Sequence, residues 1–417
     1  MIPAPRRGAR RTRKVAITAL PVAACLVIAA CSSSPASTKP AAAGSSSSTP
    51  ASSAAVPSIA ITSLTNNFSA MTSLKSLAPE GKGNVAAILP DTVSSARYTE
   101  FDAPDLNEAL AAAGLSPTQF SVQNAQGSDA TELSDAQAAI TNGATVLIMD
   151  PLDSGVGAQI ESYAKSHGAD VIDYDRLTLG GSRQYYVSFD NVEVGTLIGN
   201  GFVACATAEH VAKPNVLVMK GAPTDNNATL FAQGYNAVLA PLFANGSYVN
   251  VGTPAGTWTP DVAETEFQQE YTAHKNINSV LTPNDENAAP IIQFLQRQGV
   301  KANTFPVTGQ DATLVGLQNI LSGYQCGTVY KPVFEEAEAA VALAMYLRAG
   351  KNPPSSLVNK TTEDSTANIS VPSVLLTPEW VTTTNMNSTV IADNFVPAQQ
   401  LCVAQYAALC KTAGISV

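Results

Sequence analysis

From Asn84 onward, short apolar runs alternate with longer stretches in which apolar residues recur every three or four positions. The runs NVAAIL, FSVQNA, TVLIM, DVIDY, YYVSF, NVLVM, YVNVG, INSVL, FPVTG and GTVY predict strands. Between them the spacing predicts helices over 98–113, between Ser128 and Gly143, up to His167, and over 191–211, 226–243, 260–274, 286–298 and 312–322. Such regular alternation specifies an α/β fold, parallel sheets covered by helices on both faces. The chain exceeds what a single core holds, so two sheets are expected.

Ligands of open α/β sheets bind outside the carboxyl ends of the strands, which makes the polar residues just after each strand the first candidates for a site. Asp91, Asp150, Asp175, Asp190, Asp225, Asn284, Asp311 and Lys331 all follow strand runs. Two sheets with facing carboxyl edges would gather them into one cleft. The densest such stretch is Ala169–Gly195, where Asp175-Arg176 and Asp190-Asn191 each end an apolar run. Asp190 and Asn191 read equally well as caps of the next helix. Asp175 and Arg176 open no helix, which points to a ligand or ion-pair role.

The amino terminus departs from this rhythm. Arg6, Arg7, Arg10, Arg11, Arg13 and Lys14 precede an apolar run from Val15 to Ala30. Residues 1–30 thus describe a secretory signal, too short for a membrane span. IAAC, ending at Cys31, resembles a bacterial lipobox, which implies acylation of Cys31 and anchorage to the outer face of the cell membrane as a lipoprotein. A competing VAAC ends at Cys25, but LVIAA follows it, whereas residues 31–58 form a Ser/Ala/Pro-rich tether with too little apolar surface to fold. Residues 59–83 are a leader before the first strand. Removing the signal leaves 17 basic against 33 acidic residues, a net of about −16, which argues against nucleic acid as a partner. Cys205, Cys326, Cys402 and Cys410 then remain, an even number in an oxidising compartment with three possible pairings.

Catalytic chemistry finds little to use. His167, His210 and His274 fall in last turns of helices, where a cation offsets the dipole. No Gly-x-Ser-x-Gly elbow or Gly-rich phosphate loop follows a strand, and no cluster has metal-site spacing. Gly195, Gly199 and Gly201 sit inside a helical pattern and suit close packing. Paired carboxylates, Asp173/Asp175 or Asp225/Asp311, would serve a secreted glycosidase if suitably separated. A sugar-binding cleft uses the same carboxylates and also the Arg and Lys, because vicinal hydroxyls both donate and accept. Trp258, in the irregular loop TPAGTWTPD, suits the apolar face of a sugar ring; Tyr98 is a second candidate.

DTVSSARY, DYDRL, YYVSFDNVEVG, GAPTDNNATLFAQG, TPND, TGQDA and TVYKP together resemble the D-xylose-binding proteins of bacterial ABC importers, in the type I periplasmic binding protein family. The resemblance spans about Asn84 to Asn394. It implies two Rossmann-like lobes, 84–189 plus 332–371 and 190–331 plus 372–417, with crossings near Asp190, Lys331 and Val371. It further implies a monosaccharide held by Arg97, Tyr98, Asp175, Arg176, Asp225, Asn227, Trp258, Asn284, Asp311 and Lys331. No cofactor or metal is implied, and the expected partner is the membrane permease of an ABC transporter, met by a monomer. A role as a sugar sensor docking on a membrane signalling protein is an alternative. Tyr98 stands where the family usually shows Trp, and Glu286 where a small residue is usual, so the sugar need not be xylose. Measured from those crossings, Cys205 and Cys326 lie at similar depth in the carboxyl-terminal lobe. That favours pairing them, and Cys402 with Cys410 provided the chain kinks between these two or Cys402 precedes the last helix.

Overall fold

The central apolar runs are buried almost throughout, as parallel strands packed between two helical layers must be, while the edge runs FSVQN and VNVG are only half-buried. The computed structural model describes residues 56–417; the signal, Cys31 and the tether through residue 55 lie outside the described residues. In the first lobe β1 (Asn84–Leu89), β2 (Phe120–Asn124), β3 (Ala144–Met149), β4 (Asp170–Tyr174) and β5 (Tyr185–Phe189) alternate with α1 (Ala103–Ala112), α2 (Asp129–Thr141) and α3 (Ser154–Ser166). The second lobe runs through α4 (Asn191–Ala208), β6 (Asn215–Val218), α5 (Asn226–Ala244), β7 (Val249–Gly252), α6 (Pro260–Ala273), β8 (Ser279–Leu281), α7 (Asp285–Arg297), α8 (Leu314–Leu321) and β9 (Thr328–Tyr330). The chain then returns to the first lobe through α9 (Val333–Arg348), β10 (Lys360–Asp364) and β11 (Ile369–Leu376), and leaves it again for β12 (Glu379–Val381).

The first sheet has the order β10-β11-β5-β4-β3-β1-β2 and is parallel except for β10. In the second, β7-β6-β8 is parallel and β9 pairs antiparallel with β12. FPVTG, expected as a strand, only bridges these two pieces, through Val280 with Val307 and Gln310 with Val329. Pro306 has no N–H to give a ladder, and Asp311 and Ala312 turn left-handed directly after it. Helices α4 and α5 pack backbone to backbone, since a Cβ on Gly195 would run into the Phe231 carbonyl and one on Gly234 into that of Val192.

Three differences from the sequence reading have physical causes. The stretch expected as one helix from 98 opens with a π-helical turn, Tyr98–Asp102, before Pro104 in the first turn of α1. The crossing expected near Val371 comes later, because β11 stays parallel to β5 up to the pair Leu376–Phe189. The leader is part of the first lobe: Phe68, Met71, Leu74 and Leu77 join the core that includes Leu106, Leu110 and the apolar residues of α9, and the Tyr346 hydroxyl donates to the Pro57 carbonyl at 2.7 Å.

Cys205 on α4 is bonded to Cys326, and Cys402 to Cys410. Cys402 caps a short helical turn, Ala398–Leu401, while Cys410 lies in the separate helix Ala407–Thr412, so the break between them brings their Cα atoms to 5.8 Å. The first bridge closes 121 residues and the second 8. On chain entropy alone, opening the first should cost about 2 kcal/mol more stability than opening the second. Denaturant unfolding of the Cys205→Ser/Cys326→Ser and Cys402→Ser/Cys410→Ser proteins checks this; equal losses would contradict it.

Candidate functional site

The carboxyl edges of both sheets face one another across a narrow cavity of about 20 Å³, about the space one water needs. All ten residues singled out in the sequence line it: Arg97, Tyr98, Asp175, Arg176, Asp225, Asn227, Trp258, Asn284, Asp311 and Lys331. The loop after β1 supplies Arg97 and Tyr98, and the end of β4 supplies Asp175 and Arg176. From the opposite side come Asp225 and Asn227 at the start of α5, Trp258 before α6, Asn284 before α7, and Asp311. Lys331 stands on the crossing between β9 and α9.

Asp175 is the centre of the charge network. Its carboxylate accepts from Arg97 Nη1 at 3.1 Å and from the Tyr98 hydroxyl at 3.1 Å, with Lys331 Nζ 4.0 Å away. Burial by itself would raise its pKa, but Arg97, Lys331 and Arg176 together outweigh that and hold it below the usual carboxylate value. Its backbone is left-handed, with φ 56°. That strained conformation turns its carbonyl toward three donors: Tyr186 hydroxyl at 2.9 Å, Ser188 hydroxyl at 2.8 Å and Asn227 Nδ2 at 2.9 Å.

The two arginines are committed elsewhere as well. Arg97 donates to Asp102 through Nε and Nη2 at 2.9 and 2.7 Å, and to Glu336 at 2.6 Å. Arg176 lies between Asp225, 3.3 Å away, and Asp150, 3.6 Å away, and donates to the Tyr98 hydroxyl at 2.9 Å. Both guanidinium groups lie over the Tyr98 ring, at 5.6 and 5.5 Å from its centroid. Burial lifts the Asp225 carboxyl above its ordinary value, with Arg176 opposing. On Lys331, burial pulls the ammonium pKa down, but Asp311 and Asp175 carry it above the ordinary value.

Some polar capacity remains unspent. Asp311 Oδ1 and Gln310 Oε1 are buried and accept no hydrogen bond. Lys331 Nζ, 3.1 Å from Asp311 Oδ1, neutralises that carboxylate as a charge without completing a hydrogen bond. Trp258 donates Nε1 to Asp225 Oδ2 at 2.9 Å, and Phe231 meets it edge-on at 6.4 Å between centroids. Together these residues present acceptors, donors and an aromatic wall to the cavity.

Asp91, Asp150 and Asp190, which follow strands in the same way, do not line the cavity. Asp91 accepts from the N–H groups of Val93 and Ser94 in its own loop. Asp150 backs Arg176 from behind. Asp190 caps α4 by accepting from the Glu193 N–H at 3.2 Å and pairs with Lys360 at 2.9 Å. Asn191 is buried beside the cavity and donates to Asn227 Oδ1 at 2.9 Å. Ser94, Ser95, Phe231 and Gln310 line the cavity without having been singled out. Each lies inside a quoted motif, so adjacency to Arg97, Asp225 or Asp311 was the signal available. None of the three histidines lines it.

Comparison with known proteins agrees with this geometry. The sequence pattern of the periplasmic binding protein domain matches residues 86–352. A D-xylose-binding periplasmic protein of Haemophilus influenzae is 36% identical over 278 residues, 66% of this chain and 80% of that protein. Its Escherichia coli counterpart is 35% identical over 67% of this chain and 82% of its own length. Among solved structures, a carbohydrate transporter solute-binding protein from Chloroflexus aurantiacus in complex with D-glucose superposes with a TM-score of 0.68 at 27% identity, covering 76% of this chain and 97% of that one. These relatives are binding proteins rather than enzymes, and the shared arrangement is two α/β lobes around a cleft. The chain therefore belongs to the periplasmic binding protein family and has its type I fold.

Proposed function

We propose that the protein is a lipid-anchored extracytoplasmic receptor that holds a neutral monosaccharide, D-xylose or a similar sugar, between its lobes and delivers it to the membrane permease of an ABC importer. The observation that carries this reading is the cavity lining: buried donors and acceptors from both lobes, Gln310 Oε1 without a hydrogen-bond partner, Asp311 Oδ1 met only by the Lys331 charge, and Trp258 beside them. Relatives named for xylose binding, and a neighbour holding glucose, support the same class of ligand. Neutrality follows from charge. Arg97, Arg176 and Lys331 face Asp175, Asp225 and Asp311 in the lining, and Asp102, Glu336 and Asp150 stand behind them, so an anion meets no uncommitted cation. The ten lining residues are the proposed ligand contacts, and Cys31 is the proposed lipid attachment point.

A thermal-shift panel of neutral sugars should identify a stabilising ligand that is recovered unchanged. Release of reducing ends from a glycoside would favour the hydrolase reading instead. With that sugar, Asp311→Ala should bind at least about thirtyfold more weakly, since truncating one partner of a buried charge-assisted contact costs on the order of 2–5 kcal/mol. Asp153→Ala should leave affinity unchanged, because Asp153 only caps α3 by accepting from Gly155 and Val156. Calorimetry at low and high ionic strength should give nearly the same affinity for the parent protein; equal binding by Asp311→Ala would refute the assignment.

Acylation has its own test. Cys31→Ser should release the protein from the membrane fraction into the medium, because a soluble domain on a tether has no other stable hold on the bilayer. Retention of that variant in the membrane fraction would disprove the anchor.

A further inference from the structure

Glu286 occupies the second position of α7, in the second lobe, yet it spends its side chain on the first. Its Oε1 accepts from the Ala96 N–H at 2.9 Å and from the Ser95 hydroxyl at 3.0 Å, both on the loop after β1. Its Oε2 accepts from Asn284 Nδ2 at 3.0 Å, and the same amide reaches the Ser94 carbonyl across the cleft at 3.4 Å. The contacts to Ser94, Ser95 and Ala96 exist only while the lobes are together. They sit beside the cavity, against Ser95 and Asp311, and Ser95 also reaches Asp311 Oδ2 at 3.4 Å.

The charges around Glu286 are of its own sign. Asp285 precedes it on α7, and Asp311 faces it from the segment after residue 310; Asp91, on the opposing loop, is engaged by Val93 and Ser94. Among the described residues no cation pairs with Glu286, and Lys331 is paired with Asp311. The amino-terminal end of α7 relieves part of this repulsion. Asp285 is a useful contrast: its partners Thr313, Gln325 and Thr328 all belong to the second lobe, so opening the cleft leaves its surroundings unchanged. For Glu286, opening would exchange a half-buried place among carboxylates for water.

We infer that Glu286 is a proton-coupled latch, a residue that ties the two lobes together across the mouth of the cleft and takes up a proton as they close on the ligand. The neutral acid keeps every contact, its carbonyl oxygen accepting from Ser95 and Ala96 and its hydroxyl oxygen from Asn284, while shedding the repulsion from Asp285 and Asp311. Burial, then Asp311, then Asp285 raise the closed-state carboxyl to about 8. In the open state, facing water, it returns toward the ordinary Glu value near 4.3. A group whose pKa rises on closure favours the closed form fully below its open-state pKa, and that advantage is lost as pH climbs through the closed-state value. Ligand affinity should therefore fall between about pH 4.5 and pH 8 and level off above. This rests on the receptor reading, because closure is driven by the sugar.

Calorimetry with D-xylose and D-glucose, at pH 5 and pH 8 and in two buffers of different ionisation enthalpy, tests it. The parent protein should bind the better of the two at least about tenfold more weakly at pH 8 than at pH 5, with net proton uptake on binding near pH 7. Glu286→Gln, which keeps an acceptor for Ala96 and Ser95 but cannot titrate, should show a flat affinity profile and lose most of the proton uptake. Binding by the parent with no proton uptake and equal affinity at the two pH values would overturn the latch and leave the receptor reading intact. An unchanged slope in Glu286→Gln would do the same. Failure of both sugars to bind at either pH would overturn the sugar reading and the latch with it. Should Glu286→Gln fold poorly, proton uptake by the parent alone still decides.

Discussion

The cleft depends on one constraint: a set of ionised groups buried between two lobes must be neutralised within the site, because water cannot do it. Asp175 is where that balance is struck. It meets Arg97 and Tyr98 from its own lobe, Asn227 from the other and, more distantly, Lys331 from the crossing. An isolated carboxylate so buried would be neutral; this one is held ionised by three cations. The same bookkeeping extends outward, as Arg97 answers Asp102 and Glu336, and Arg176 answers Asp150 and Asp225. Removing one member strands several others, so the network acts as a unit, and double substitutions within it should be far from additive.

Helix capping and a place on the cleft looked like competing readings of Asp190 and Asn191, but in Asp225 and Asn284 the two coexist. Asp225 spends Oδ1 on the Asn227 N–H at the start of α5 and keeps Oδ2 for Trp258 and Arg176. Asn284 caps α7 with Oδ1 and leaves its amide nitrogen on the cleft side, toward Ser94 and Glu286. A side chain with two polar atoms can close a helix and face a ligand at once, and capping fixes its rotamer, which preorganises the site. Asp190 differs because its second oxygen is taken by Lys360.

Much of the architecture was legible because period-two and period-3.6 patterns report burial on one face. The parts that escaped are those without such a stripe. Helix α9 is buried nearly all round, from Ala337 through Tyr346, so no polar face marks it. The leader buries only every third residue or so of a 3₁₀ stretch, Phe68, Met71, Leu74 and Leu77, and reads as a loop with scattered apolar positions. Nine of these ten lining residues were accessible because they lie in recognisable motifs after strands, and Trp258 because its ring suits the apolar face of a sugar. Asp102, Asp150 and Glu336 support the site from behind, and no spacing rule identifies partners that meet only through the fold. Glu286 was visible merely as an unusual residue; its reach to Ala96 and Ser95 depends on how the lobes meet.

Strain points to the same places. Asp175 has φ 56°, Asp311 88° and Ala312 49°, conformations that cost a non-glycine residue about 1–3 kcal/mol each. At both aspartates a neighbouring strand pins the backbone: the Asp175 N–H donates to the Val187 carbonyl at 2.9 Å and the Asp311 N–H to that of Val329 at 2.8 Å. Both strands, β5 and β9, lead directly into crossings between the lobes. The two carboxylates are thus held in costly positions by the strands that feed the crossings between the lobes. Under the proposed function, ligand contact and lobe position are joined there, with Lys331 reaching Asp311 from one of those crossings. A cleft built this way cannot adjust its grip without moving a hinge, which is the property a receptor needs if its closure is to report that the ligand is inside.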